Sequence, residues 1–166
     1  MQDIQQIIVP VDFYQHTDDL ANFAVNIAGK LGAKVTFIHV IEEVVHYAYS
    51  EYNPVTFSDI EKELRDVADK KMTALLDKIK PVCPDCSGEV LAGNVADTIV
   101  DYTSNKDEGM VVMATHGAQG IEKVFLGSVA ERVIKRAHCP TLVFNPYKGE
   151  RGYKIDTPIM EKILPI

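Results

Sequence analysis

The sequence predicts an α/β fold, an open five-stranded parallel sheet with helices on both faces. Two observations carry that expectation. From Ile7 to Phe144, short apolar runs alternate strictly with amphipathic segments of helical period. Most of the short runs are apolar at nearly every position, as strands covered on both faces are. Strict alternation of this kind calls for β-α-β units with right-handed crossovers, which stack into a three-layer open sheet.

The first run, Ile7 to Pro10 (IIVP), stops at a proline, as a buried strand does where the chain turns. From Thr17, apolar residues at Leu20, Phe23, Ala24, Ile27, Ala28 and Leu31 trace one helix face. Asp18 and Asp19 sit where the helix dipole favours acids, and Gly32 ends the helix. Val35 to Ile41 (VTFIHVI), β-branched and aromatic, is the second strand. Ser58 and Glu61 form an S-x-x-E capping box. It opens a long helix with Ile60, Leu64, Val67, Leu75 and Ile79 on its apolar face and Pro81 at its end. The pattern continues with strand Glu89 to Ala92, helix Val95 to Thr103, strand Met110 to Ala114, helix Ser128 to Ala137 and strand Thr141 to Phe144.

Two segments fall outside the alternation. Glu42 to Phe57 carries Tyr47, Tyr49, Tyr52 and Phe57 and is long for a connection, so it is either a flap over a site or an interface patch. The domain is expected to occupy residues 1–146, with 147–166 a tail whose apolar end, IMEKILPI, packs on the domain or on a partner subunit.

The chain's 166 residues suffice for one domain with a core that needs neither metal nor disulfide. A net charge of −7 argues against nucleic acid as a partner, since that attraction depends on a field of Lys and Arg. No apolar stretch approaches the ~18 residues of a membrane span. The start, MQDIQQIIVPVDF, lacks a basic region and a cleavage site. With an odd number of cysteines, three, the expected compartment is the cytoplasm.

In open parallel sheets, ligands bind at the carboxyl ends of strands where the winding direction reverses. Strand order does not follow from sequence. If the first strand is central, the crevice lies between Pro10, Val11, Asp12 and Ala114, Thr115, His116, Gly117. Downstream, Gly127 and Ser128 open a helix, where backbone amides and a hydroxyl suit an anion. A plain turn with an N-capping serine fits the same two residues. Asp12 has two readings as well, a ligand contact or a cap on the following turn. His116 is either a phosphate contact or a loop histidine. His39, within a strand, reads as a hydrogen-bonded structural histidine.

Cys83 and Cys86 form C-P-D-C. The pair follows a helix and leads into a strand, so no helix N-terminus lowers its thiol pKa as in thioredoxin-like sites. No second C-x-x-C completes a zinc set, and the segment reads as a plain loop. P-loop, nucleophile-elbow and H-E-x-x-H motifs are absent, and Lys123 is the sole cation near the glycines. The expectation is a binding module and not an enzyme.

The stretch Met113 to Val133 (MATHGAQGIEKVFLGSVAERV), with IIVPVDF, FIHVIEE and CPTLVFNP, resembles the universal stress protein family over roughly Ile4 to Pro146. Nucleotide-binding, UspA-like members show Gly, two residues, Gly, nine residues, Gly, then Ser or Thr. Here Ala114, Thr115, His116 and Gly117 are followed by nine residues, Gly127 and Ser128, a departure at Ala114 alone. The resemblance implies an adenine nucleotide alpha hydrolase-like, Rossmann-like fold and a regulatory role in stress response, with ATP or AMP as ligand and Mg²⁺ accompanying ATP. It places Pro10, Val11 and Asp12 beside adenosine and the Val40 backbone at the adenine edge. Met113, Ala114, Thr115, His116 and Gly117 would line ribose and phosphates, and Gly127, Ser128 and Val129 would hold the phosphates. A slow ATP hydrolase and a nucleotide-free dimer are the alternative functions. As an apolar final strand, Thr141 to Phe144 is expected to pair two copies into a homodimer that acts on a further protein partner.

Overall fold

Gln6–Pro10 (β1), Lys34–Glu42 (β2), Ser87–Gly93 (β3), Gly109–Ala114 (β4) and Thr141–Phe144 (β5) form one parallel sheet of order β3-β2-β1-β4-β5. The computed structural model describes residues 3–42, 54–104, 106, 108–115 and 126–146, with backbone alone for 54–58. Helices Thr17–Leu31 (α1), Pro54–Ile79 (α2), Val95–Ser104 (α3) and Ser128–Arg136 (α4) complete the alternation. Every expected strand and helix is present, with ends displaced by a few residues. The expected flap, the sequence from His116 through Lys123 and the tail from Tyr147 lie wholly or largely outside the described residues.

Side-chain alternation along the strands divides the core in two. Ile7, Val9, Val11, Val35, Phe37, Met110 and Val112 face α1 and α2. Ile8, Ile38, Val40, Val111 and Met113 face α3 and α4. The central strands β1, β2 and β4 are apolar on both faces because both are covered.

Two helix faces differ from expectation. α2 begins at Pro54, a residue suited to the first helical position, so Ser58 is interior and does not cap the helix. Its buried face is Ala68, Met72, Leu75 and Ile79, while Ile60, Leu64 and Val67 are exposed. Val67, next to buried Ala68, points about 100° off the buried face; for Ile60 and Leu64 the physical reason is length. Twenty-six helical residues run about 39 Å, against about 30 Å for the nine residues of β2, so the early turns overhang the sheet.

On α1, Leu20, Ala24 and Ala28 are buried as expected, but Ala21 and Val25 join them and Leu31 is exposed. The helix packs on the sheet and on α2 together, which widens its buried stripe, and Leu31 lies in its final turn before Gly32. Gly32 adopts the left-handed conformation at φ 67° and donates its N–H to the Ala28 carbonyl.

A second glycine is dictated by geometry. Gly93, at the end of β3, has φ 141°, and a Cβ there would lie 2.6 Å from Thr98 Oγ1. Gly93→Ala is expected to cost about 1–3 kcal/mol of stability, measured by urea denaturation.

Candidate functional site

The sheet reverses its winding between β1 and β4. From β1 the chain proceeds outward through β2 to β3, then crosses to β4 and β5 on the other side. The helices that leave the two strands lie on opposite faces, α1 on one and α4 on the other. The carboxyl ends of β1 and β4 are therefore the position at which open α/β sheets form a ligand crevice. Their mutual register covers Gln6↔Gly109, Ile7↔Met110 and Ile8↔Val111, whereas β1 stays paired with β2 as far as Pro10↔Ile38.

Backbone hydrogen bonds set the walls of this crevice. Val11 N–H donates to the Ile38 carbonyl at 2.8 Å, which leans the exit of β1 toward β2. His39 Nδ1 lies 2.8 Å from the Val11 carbonyl, a contact that requires the proton on Nδ1. The histidine is the structural one expected, and it fixes the turn that presents Asp12.

Asp12 Oδ1 accepts from the Tyr14 N–H at 3.0 Å and from Thr17 Oγ1 at 3.5 Å. Of its two readings, the turn cap describes this oxygen. Next in sequence, Phe13 has φ 61°, the only positive φ outside glycine among the described residues. Such a backbone costs a bulky residue about 1–2 kcal/mol. The ring is held in compensation, 4.5 Å from His39 and with Lys71 Nζ 5.9 Å from its centroid.

On the opposite wall, Thr115 N–H donates to the Phe144 carbonyl and Gly127 N–H donates to the Thr115 carbonyl, both at 2.8 Å. The second bond ties the start of α4 to the end of β4. Gly127 is the N-cap of α4, at φ −60° and ψ 147°, and Ser128 is the first helical residue, so the serine is not the cap. The first bond within the helix runs from Glu131 N–H to the Gly127 carbonyl at 2.9 Å. Helix geometry thus gives the amides of Ser128, Val129 and Ala130 no acceptor inside the helix. Their partial positive charge lies at the mouth of the crevice.

Pro10, Val11, Asp12, Met113, Ala114, Thr115, Gly127, Ser128 and Val129 are thereby brought to one end of the sheet. Val40 joins them from β2, sharing a core layer with Met113 and Val129. His116 and Gly117 lie outside the described residues. Ala114 has a negative φ, and its methyl packs on the core beneath α1 and α2, so alanine leaves the backbone of β4 undisturbed.

A separate open depression of about 390 Å³ lies between the β1–α1 connection and α2. It is lined by residues including Phe13, Tyr14, Asp18, Lys71 and Lys78, and by none of the residues expected from sequence. Lys78 bonds both Asp18 oxygens, at 3.0 and 3.3 Å, pinning α2 to the start of α1. Sequence reasoning missed Phe13 and Lys71; the Asp12 turn was the available signal for the former, and none marked the latter.

The Universal stress protein family profile matches residues 3–145. The chain belongs to that family. Universal stress protein MJ0531 of Methanocaldococcus jannaschii is 34% identical over 149 residues, covering 88% of this chain and 85% of the relative. Among solved structures, Universal stress protein UspA from Lactobacillus plantarum superposes with a TM-score of 0.73 at 23% identity, over 87% of this chain and 99% of that one. A universal stress protein family protein from Arabidopsis thaliana, solved with AMP bound, gives a TM-score of 0.58 at 15% identity, over 90% and 97%. At these identities the structural likeness establishes the fold. Among the described residues no helix is long and apolar enough to cross a membrane, and no three or more His, Cys, Asp or Glu residues group as a metal site would need.

Proposed function

We propose that this universal stress protein is a regulatory module of the cytoplasm. It binds ATP or AMP in the crevice between β1 and β4 and signals through self-association and contact with a further protein, without turnover. The observation that carries the reading is the placement of the α4 N-terminus against the end of β4 at the winding reversal. There, three amides with no helical acceptor meet a small-residue strand exit. AMP in the Arabidopsis thaliana member supports adenine nucleotide as the ligand class. Adenosine lies along Pro10, Val11, Asp12 and the Val40 backbone. The phosphates approach Gly127, Ser128 and Val129, with Mg²⁺ on ATP relieving their mutual repulsion. Bound nucleotide selects one arrangement of the β4–α4 connection, and that surface is what a partner reads.

Titration calorimetry with AMP, and with ATP with and without Mg²⁺, tests the site. Ser128→Ala is expected to lose about 1–2 kcal/mol of binding, the scale of one hydrogen bond to a charged group. That corresponds to a roughly five- to thirty-fold weaker Kd. Gly127→Val, which sets a branched side chain at the helix mouth, is expected to weaken binding further. Unchanged affinity in both variants would refute the site, and steady phosphate release from ATP would refute the assignment as a non-enzyme.

A further inference from the structure

The turn that joins α2 to β3 carries a pair of thiols that the nucleotide site does not use. Cys83, Pro84, Asp85 and Cys86 form a reverse turn in which Cys86 N–H donates to the Cys83 carbonyl at 3.1 Å. Pro84 occupies the second position, where its fixed φ suits such a turn. A four-residue turn brings its end Cα atoms within about 7 Å, and a disulfide spans Cα separations of about 4.4–6.8 Å. That backbone bond sets the two cysteines at the two ends of one turn. Cys83 is half-buried and Cys86 is buried, and both sulfurs are free.

We propose that Cys83 and Cys86 are a reversible oxidation site, closing to an intramolecular disulfide in response to a small-molecule disulfide. In the first step, the Cys83 thiol loses its proton and its sulfur attacks one sulfur of the oxidant. A mixed disulfide forms and one small thiolate leaves. Cys86 then loses its proton and attacks Cys83 Sγ, forming the internal S–S bond and releasing the second thiolate. Two cysteine thiols are oxidised by two electrons, and one small disulfide is reduced to two thiols. Cys83, the more accessible sulfur, is the entry point, and Cys86 is the resolving thiol.

The surroundings set the rate. Burial, with the carboxylate of Asp85 nearby, raises the Cys83 pKa, and burial next to Cys83 pushes Cys86 up to about 11. The thiolate form is scarce at neutral pH, so oxidation is slow there. It accelerates by about tenfold per pH unit while the pH stays below the pKa of Cys83.

The test equilibrates the full chain anaerobically in mixtures of reduced and oxidised glutathione, quenches with acid, alkylates under denaturing conditions and maps peptides by mass spectrometry. Wild type and Cys139→Ser are expected to lose both alkylation sites of the 83–86 peptide together, with a mass about 2 Da below the dithiol. A tenfold change of poise centred on the midpoint should carry the oxidised fraction from about 24% to about 76%, the slope of one two-electron couple. Cys83→Ser and Cys86→Ala, checked for folding by circular dichroism, should not show the loss. The proposal is overturned if all three thiols remain alkylated up to oxidised glutathione alone. Cross-linking through Cys139, or a stable glutathione adduct on Cys83 with Cys86 still free, overturns it equally.

Discussion

Phe37→Ala is expected to lower the free energy of unfolding by about 3–5 kcal/mol, the range for truncating a buried aromatic. Phe37 lies in the middle of β2, fully excluded from solvent and registered between Val9 and Gly88. Its ring belongs to the core layer shared by Ala24 and Ala28 of α1 and Met72, Leu75 and Ile79 of α2. Sheet and helices close on it from several directions, so the cavity left by alanine cannot collapse by moving one element. Domains hold a net stability of about 5–15 kcal/mol, so this one side chain accounts for a large share. Urea denaturation should show a lower midpoint with an unchanged slope. A loss below about 1 kcal/mol would mean that the site repacks and that the layer is looser than its burial implies.

Val143→Lys and Val143→Pro are expected to convert a dimer into monomers. The proposed pairing rests on β5, which among the described residues lies at the edge of the sheet. One side of β5 pairs with β4 from Val111↔Thr141 to Ala114↔Phe144. The other side faces away from the sheet, and its four residues are only half-buried. A strand of this kind, with no charge among Thr141, Leu142, Val143 and Phe144, is poorly defended against a second copy. Two-fold symmetry makes the added pairing antiparallel and self-complementary. Lysine at Val143 sets like charges near one another across the axis, and proline removes a backbone donor from the ladder. Leu142 and Phe144 pack toward α1, with Phe144 stacked 4.9 Å from Phe23, so the substitution at Val143 spares that contact. Sedimentation equilibrium at tens of micromolar decides the matter: a monomeric wild type, or variants that remain dimeric, would place self-association elsewhere or remove it.

Much of this molecule was legible without coordinates because it depends on near neighbours in the chain. The order of strands and helices, the doubly covered character of β1, β2 and β4, and the stop at Gly32 are matters of local periodicity and backbone preference. The spacing of Gly127 and Ser128 marked a helix start for the same reason, and the structure begins α4 at Ser128. Tertiary structure decided what depends on distant partners. Only packing could set β1 beside β4, join Gly127 to Thr115, and turn the methyl of Ala114 into the core. The left-handed backbone of Phe13 exists because a histidine from β2 and a lysine from α2 hold its ring, a combination no local propensity encodes. Helical spacing likewise offered Ile60, Leu64 and Val67 as a buried stripe. What the sheet covers beneath α2 determined that Leu75 and Ile79, expected on the same face, are buried with Ala68 and Met72 while those three are exposed, since periodicity identifies an apolar face but not the extent of what covers it.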